Sequence, residues 1–82
     1  MVEFKIANFL YNTFQMLENN LLLIRTGRNL TQEELAKGVE VTRQTIISIE
    51  KGNYTPSVLL ALRIAKFFNV KVEDIFQINH EQ

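Results

Sequence analysis

The sequence predicts an all-α fold, five short helices around one core. Three observations point there. Capping residues stand ahead of apolar runs at Thr31, Thr42 and Ser57. The runs they open carry inward-facing residues at helical spacing, Leu35 with Ala36 and Ile46 with Ile49. Residues that stop helices close two of them, Gly52 and Asn69. At 82 residues this is one domain, and 46% apolar content gives it enough to bury.

Residues 1–15, MVEFKIANFLYNTFQ, support two readings. Val2, Phe4 and Ile6 alternate as in a strand. Val2, Ile6, Phe9, Leu10, Thr13, Phe14 and Leu17 fit a helical stripe, which accounts for more residues. The stretch reads as an N-terminal extension, with Met16 as an alternative start. The domain itself is expected over residues 16–79, followed by a polar tail at 80–82.

The first helix starts at Asn19 or Asn20 and reaches about Arg28, with Leu21 and Ile24 inward and Gly27 weakening its end. The second opens at Thr31. Glu34, three residues on, completes a capping box, and Gln32, Glu33 and Glu34 fill a first turn that favours acidic groups. Gly38 ends this helix or loosens its last turn. Val39 and Val41 bury the turn that follows. Thr42 caps the third helix, Arg43 to Lys51. Ile46 and Ile49 lie on one side of it, while Arg43, Gln44, Thr45 and Ser48 crowd the outward part. Such side chains hydrogen-bond base edges or phosphates, although an ordinary amphipathic helix also has a solvated polar face. Ser57 caps the fourth helix, which runs to Phe68 with Leu59, Leu62, Ala65 and Phe68 inward. The fifth covers about Val72 to Phe76. Lys71 caps it poorly, which predicts fraying. Phe76 to Asn79 alternates like a short strand.

Composition narrows the function. No cysteine is present, so there is no disulfide framework and no thiolate metal site. No Ser/His/Asp set and no glycine-rich phosphate loop is present, and Glu33 with Glu34 is a helix N-terminal pair, so an enzyme is not expected. His80 stands alone in the tail. No apolar run is long enough to span a membrane, and a cytoplasmic protein without cofactors is the default. Net charge is zero, which argues against binding nucleic acid by bulk charge. Yet Arg25 to Lys66 holds seven Lys/Arg against four Glu, so the middle of the chain is its basic part.

Leu30 to Phe76 resembles the Cro/cI-type (XRE family) helix-turn-helix transcriptional regulators, in particular the short cytolysin-repressor-like members. LTQEELA, VTRQTI, IEKGNYTPS, LALRIAKFF and VEDIFQ carry the resemblance, spaced without a gap. It departs at Asn29 and Glu40, where family members commonly have glycine. Asn29 tolerates a left-handed backbone better than Glu40 does.

The resemblance implies a five-helix lambda-repressor-like DNA-binding domain, with a small two-stranded sheet formed by the segments flanking the helices. It implies a dimeric, sequence-specific repressor of transcription that reads operator half-sites in double-stranded DNA with helix 43–51. Arg43, Gln44 and Ser48 match positions that touch base edges. Gln32, Thr42, Thr45, Lys51, Asn53 and Tyr54 match positions that hold the DNA backbone. Packing under the loop is an equal alternative for Tyr54. Arg25 and Glu50 match a structural ion pair between the first and third helices. A homodimer is expected through the chain ends, with Leu17 to Asn19 and Phe76 to Asn79 paired as a sheet and Ile75, Phe76 and Ile78 supplying apolar contact. The same fold also serves in antitoxins and adaptors, so a protein-interaction module with little DNA specificity is the alternative. The neutral charge and aromatic N-terminus favour that alternative, while Arg43, Gln44, Thr45 and Lys51 oppose it.

Overall fold

A computed structural model describes residues 15–80. The order is β1 (Gln15–Asn19), α1 (Leu21–Gly27), α2 (Gln32–Val39), α3 (Arg43–Glu50), α4 (Val58–Phe68), α5 (Val72–Ile75) and β2 (Phe76–His80). The helical stripe proposed for the N-terminal extension lies outside the described residues, apart from Leu17. That residue is in a strand, 40% exposed. β1 takes in Gln15, which the sequence assigns to the extension, and β2 takes in His80, which it assigns to the tail.

Local chemistry sets the helix ends. Thr31, Thr42 and Ser57 each accept a hydrogen bond from the backbone N–H three residues on, satisfying one of the donors every helix leaves open. At the other ends, Glu40 and Asn69 adopt left-handed conformations, with φ of 63° and 58°. Their N–H groups close back on the last turns of α2 and α4. Asn29, also at φ 58°, makes the turn between α1 and α2. Gly38 does not end α2, which runs on to Val39. Its missing side chain makes room for the Phe67 ring of α4, which a β-carbon there would overlap. α5 is one turn long. Lys71 supplies no cap, but the Asp74 carboxylate accepts the Lys71 N–H at 3.0 Å and holds that turn.

The core gathers Leu21, Leu35, Ala36, Val39, Ile46, Ile49, Leu60, Ile64, Ala65, Phe68, Ile75 and Phe76. One expected face is corrected. Leu59 and Leu62 are 59% and 53% exposed, and α4 turns Leu60 and Ile64 inward instead. The sequence VLLALRIAKFF is apolar on nearly every side, so periodicity does not select the buried stripe. Ile75 and Phe76 are also interior and cannot supply an intermolecular contact.

β1 and β2 pair antiparallel, with Leu17 opposite Ile78 and Asn19 opposite Phe76. The Asn20 N–H donates to the Ile75 carbonyl at 2.8 Å, so the sheet leads directly into α1 on one side and α5 on the other. Arg28 ties α1 to the end of α4. Its Nη2 donates to the Phe68 carbonyl at 3.0 Å, and its guanidinium lies 5.5 Å from the centre of the Phe68 ring, a cation–π contact on top of a helix C-cap. Among the described residues, no helix is long and apolar enough to cross a membrane.

Candidate nucleic-acid interface

The third helix is fixed from below. Ile46 is fully buried and Ile49 is 1% exposed. Burying two such side chains stabilises the docking by ~1.5–3 kcal/mol each, more than an exposed ion pair of ~0–1 kcal/mol contributes. The rotation of α3 is thus set by its apolar face, and its polar face turns outward by default.

The C-terminal end of α3 is held a second time. Arg25 Nε donates to Glu50 Oε2 at 2.6 Å and its Nη2 to Oε1 at 3.1 Å. The pair is buried, with the two side chains 10% and 5% exposed. Arg25 Nη1 also donates to the Leu30 carbonyl at 2.8 Å, so the guanidinium joins α1, the turn before α2 and α3. Gln32 Nε2 donates to Glu50 Oε1 at 3.0 Å. Asn19 Nδ2 donates to the Ile49 carbonyl at 2.9 Å, satisfying an acceptor that the helix leaves open.

The N-terminal half of α3 is different. Thr42 caps it, with the Thr45 N–H 3.2 Å from Thr42 Oγ1, and the two hydroxyls lie 3.0 Å apart. Arg43 and Gln44 are exposed and Ser48 is half-buried. Gln44 Nε2 sits 3.5 Å from Ser48 Oγ, one turn along the same outer face. Among the described residues, Arg43 enters no ion pair. Arginine's fork suits guanine O6 and N7, and the glutamine amide suits adenine N6 and N7.

The expected backbone contacts fall around this half. Lys51, Asn53 and Tyr54 are exposed, Tyr54 by 47%. Gly52, at φ 79°, turns the chain so that the Asn53 N–H reaches the Ser48 carbonyl at 2.9 Å. That anchors the loop to α3 and leaves the Tyr54 ring only partly packed. Thr42 is exposed and Thr45 half-buried. Gln32 sits elsewhere than the sequence placed it. Its amide nitrogen is engaged by Glu50, so at the start of α2 the first-turn N–H groups are what can meet a phosphate. Beside them, Glu34 accepts the Thr31 N–H at 2.8 Å and gives back its own N–H to Thr31 Oγ1 at 3.0 Å. Bonding to the Thr31 backbone first, and to its side chain second, holds the Glu34 carboxyl below the usual range.

Of the seven cations in the basic middle, Arg25 is neutralised by Glu50 and Arg28 by carbonyl and ring contacts. Arg43 and Lys51 are those carried by α3 and its cap. Asn19 and Arg28 were not legible as anchors. Their partners lie 30 and 40 residues away, and no local pattern points to them.

Residues 21–75 match the helix-turn-helix family. An HTH-type transcriptional regulator of Methanocaldococcus jannaschii is 62% identical over 60 residues, which cover 73% of this chain and 91% of that protein. Another from Bacillus subtilis, YgzD, is 46% identical over 65 residues, covering 79% and 98%. Among solved structures, the restriction-modification controller protein C.AhdI of Aeromonas hydrophila superposes with a TM-score of 0.63 at 26% identity, covering 66% of this chain and 82% of that one.

Proposed function

The chain belongs to the helix-turn-helix family of transcriptional regulators, a non-enzymatic family, and from that premise we propose that it is a sequence-specific, dimeric repressor acting on double-stranded DNA in the cytoplasm. α3 enters the major groove N-terminus first. Arg43, Gln44 and Ser48 read base edges. Thr42, Thr45, Lys51, Asn53 and Tyr54 hold sugar and phosphate, joined by the N–H groups that open α2. The observation that supports this most is the contrast along α3, whose buried end is locked by Glu50 while Arg43 and Gln44 stand exposed on the other. A helix presented in this way brings fixed donors to a groove about 12 Å wide. Phosphate contacts set register and base contacts set sequence. Repression needs only that the operator be occupied, and this face suffices for that.

The test is a gel shift on genomic fragments across salt, followed by footprinting of whatever is retained. A preferred site should emerge at physiological salt. On that site Lys51→Ala should weaken all DNA about equally and lower the salt slope by about one ion. A reporter behind the footprinted site should rise when the protein is removed. Protein that binds every fragment alike, or none, would instead make the motif a scaffold for protein contacts.

A further inference from the structure

α4 carries an apolar face that the core does not use. Val58, Leu59 and Leu62 are 77%, 59% and 53% exposed. They lie three and four residues apart, so they form one patch on the first turns of the helix. A single exposed leucine needs no explanation, but three adjoining aliphatic side chains do. This is the face that sequence alone assigns to a core.

We propose that two copies of the chain meet here, with Val58, Leu59 and Leu62 of one copy against the same residues of the other. The proposal rests on the DNA-binding reading above and gives its dimer an interface. Charge selects the occupant. α4 contains no acidic residue, and its cations, Arg63 and Lys66, follow the patch toward the C-terminus. A twofold contact centred on the N-terminal half is uncharged at its middle and leaves the like charges at opposite outer ends. An acidic partner would be drawn to the cationic half instead. Symmetry agrees, because one self-complementary patch serves both subunits of a twofold dimer. Position agrees too. α4 begins directly after the loop that carries Asn53 and Tyr54, so a twofold axis at Val58 keeps both α3 helices on one side, as two half-sites require.

The rival surface is the exposed cross-strand pair Leu17 and Ile78, 40% and 57% exposed. It offers two aliphatic side chains against three. Its neighbours Ile75 and Phe76 are committed to the core. Three aliphatic side chains fall short of the ~800 Å² per partner of a standard interface. The dimer should therefore be a micromolar one that adjacent half-sites complete.

Sedimentation equilibrium of the full chain up to about 200 µM, a range suited to micromolar affinity, tests this together with binding to one-half-site and two-half-site DNA. The variants are Leu59→Gln/Leu62→Gln, and Ile78→Gln for the rival. Both change exposed positions, and thermal melts check that they fold. The α4 variant should weaken self-association at least tenfold and abolish cooperative occupancy of paired half-sites, with single-half-site affinity unchanged. Ile78→Gln should change none of these. The proposal is overturned if the α4 variant associates like wild type, or if Ile78→Gln is the one that gives monomers. It is equally overturned if the wild-type protein stays monomeric and fills two half-sites independently. A wild-type protein without sequence preference on a half-site sinks the DNA reading, while sedimentation still decides the interface.

Discussion

The two ends of α3 are built in opposite ways. At the C-terminal end, Glu50 takes hydrogen bonds from Arg25 and Gln32, and the Ile49 carbonyl takes one from Asn19. Three other parts of the chain converge there. At the N-terminal end, Thr42 closes the helix locally, and Arg43 and Gln44 are exposed. Buried polar groups with every partner in place fix a geometry. Exposed ones keep their bonding capacity for something else. A reading helix needs both, since a misplaced fork loses its bidentate match while a spent one has nothing left to offer.

The largest way to break this comparison is at the fixed end. Arg25→Met or Glu50→Gln should each destabilise the fold by about 3 kcal/mol, because removing one partner strands the other charge in a site less than a tenth exposed. Denaturant melts measure it. The double change should cost less than the two single changes summed, since neither charge is then left alone. Costs no larger than those of a surface substitution would mean that the pair does not hold α3.

Next comes the open end. Arg43→Ala should cost ~1–3 kcal/mol on the preferred DNA site and much less on random DNA, relaxing preference at a guanine. Gln44→Ala should do the same at a neighbouring position, most readily an adenine. Neither should shift the melting temperature noticeably, because both side chains are exposed and neither anchors α3 to another element. The contrast fails if these variants bind the footprinted site as tightly as wild type, or if they destabilise the fold as Glu50→Gln does.

A smaller effect is expected in the turn that feeds the open end. Glu40 holds φ at 63°, a conformation that costs a residue with a β-carbon ~1–2 kcal/mol. Glu40→Gly relieves that strain but frees the unfolded chain, so a net gain of about 0.5–1 kcal/mol is expected. DNA affinity should not change, since Glu40 only closes α2. A loss of stability would show that the Glu40 side chain contributes more than its backbone suffers.

Much of this architecture was legible in the sequence, and the limits have a physical origin. Caps are local signals, so Thr31, Thr42, Ser57 and Asn69 could be read from a few residues each. The two faces of α3 were legible because isoleucines and polar residues segregate around it. α4 was not, because four of its first five residues are large aliphatics or alanine on all sides, and only packing against α2 and α5 chooses Leu60 and Ile64. Ile75 and Phe76 were placed at an interface because a short chain end gives no sign that it closes the core. The role of Gln32 was missed for a related reason. An amide at a helix start suits a phosphate as well as a buried carboxylate, and only the fold brings Glu50 within 3.0 Å of it.

The smallest expected effect is on the helix that lends Gln32 to the fixed end. Glu34 and Thr31 close a reciprocal box at the start of α2. Bonding to the Thr31 N–H, then to its side chain, lowers the Glu34 carboxyl in the folded state. A carboxyl lowered on folding stabilises the fold above its unfolded pKa, near ~4.3. That contribution fades as pH falls through the lower, folded value, because protonation then becomes equally available to both states. Glu34→Gln keeps an amide oxygen able to accept the Thr31 N–H but removes the charge. The wild-type protein should therefore melt slightly above Glu34→Gln at pH 7, and the gap should close toward pH 3. Melts of both proteins at the two pH values, in the same salt, decide it. A gap unchanged by pH would assign the difference to side-chain geometry, and the charge at the start of α2 would then contribute nothing to how the fixed end of α3 is held.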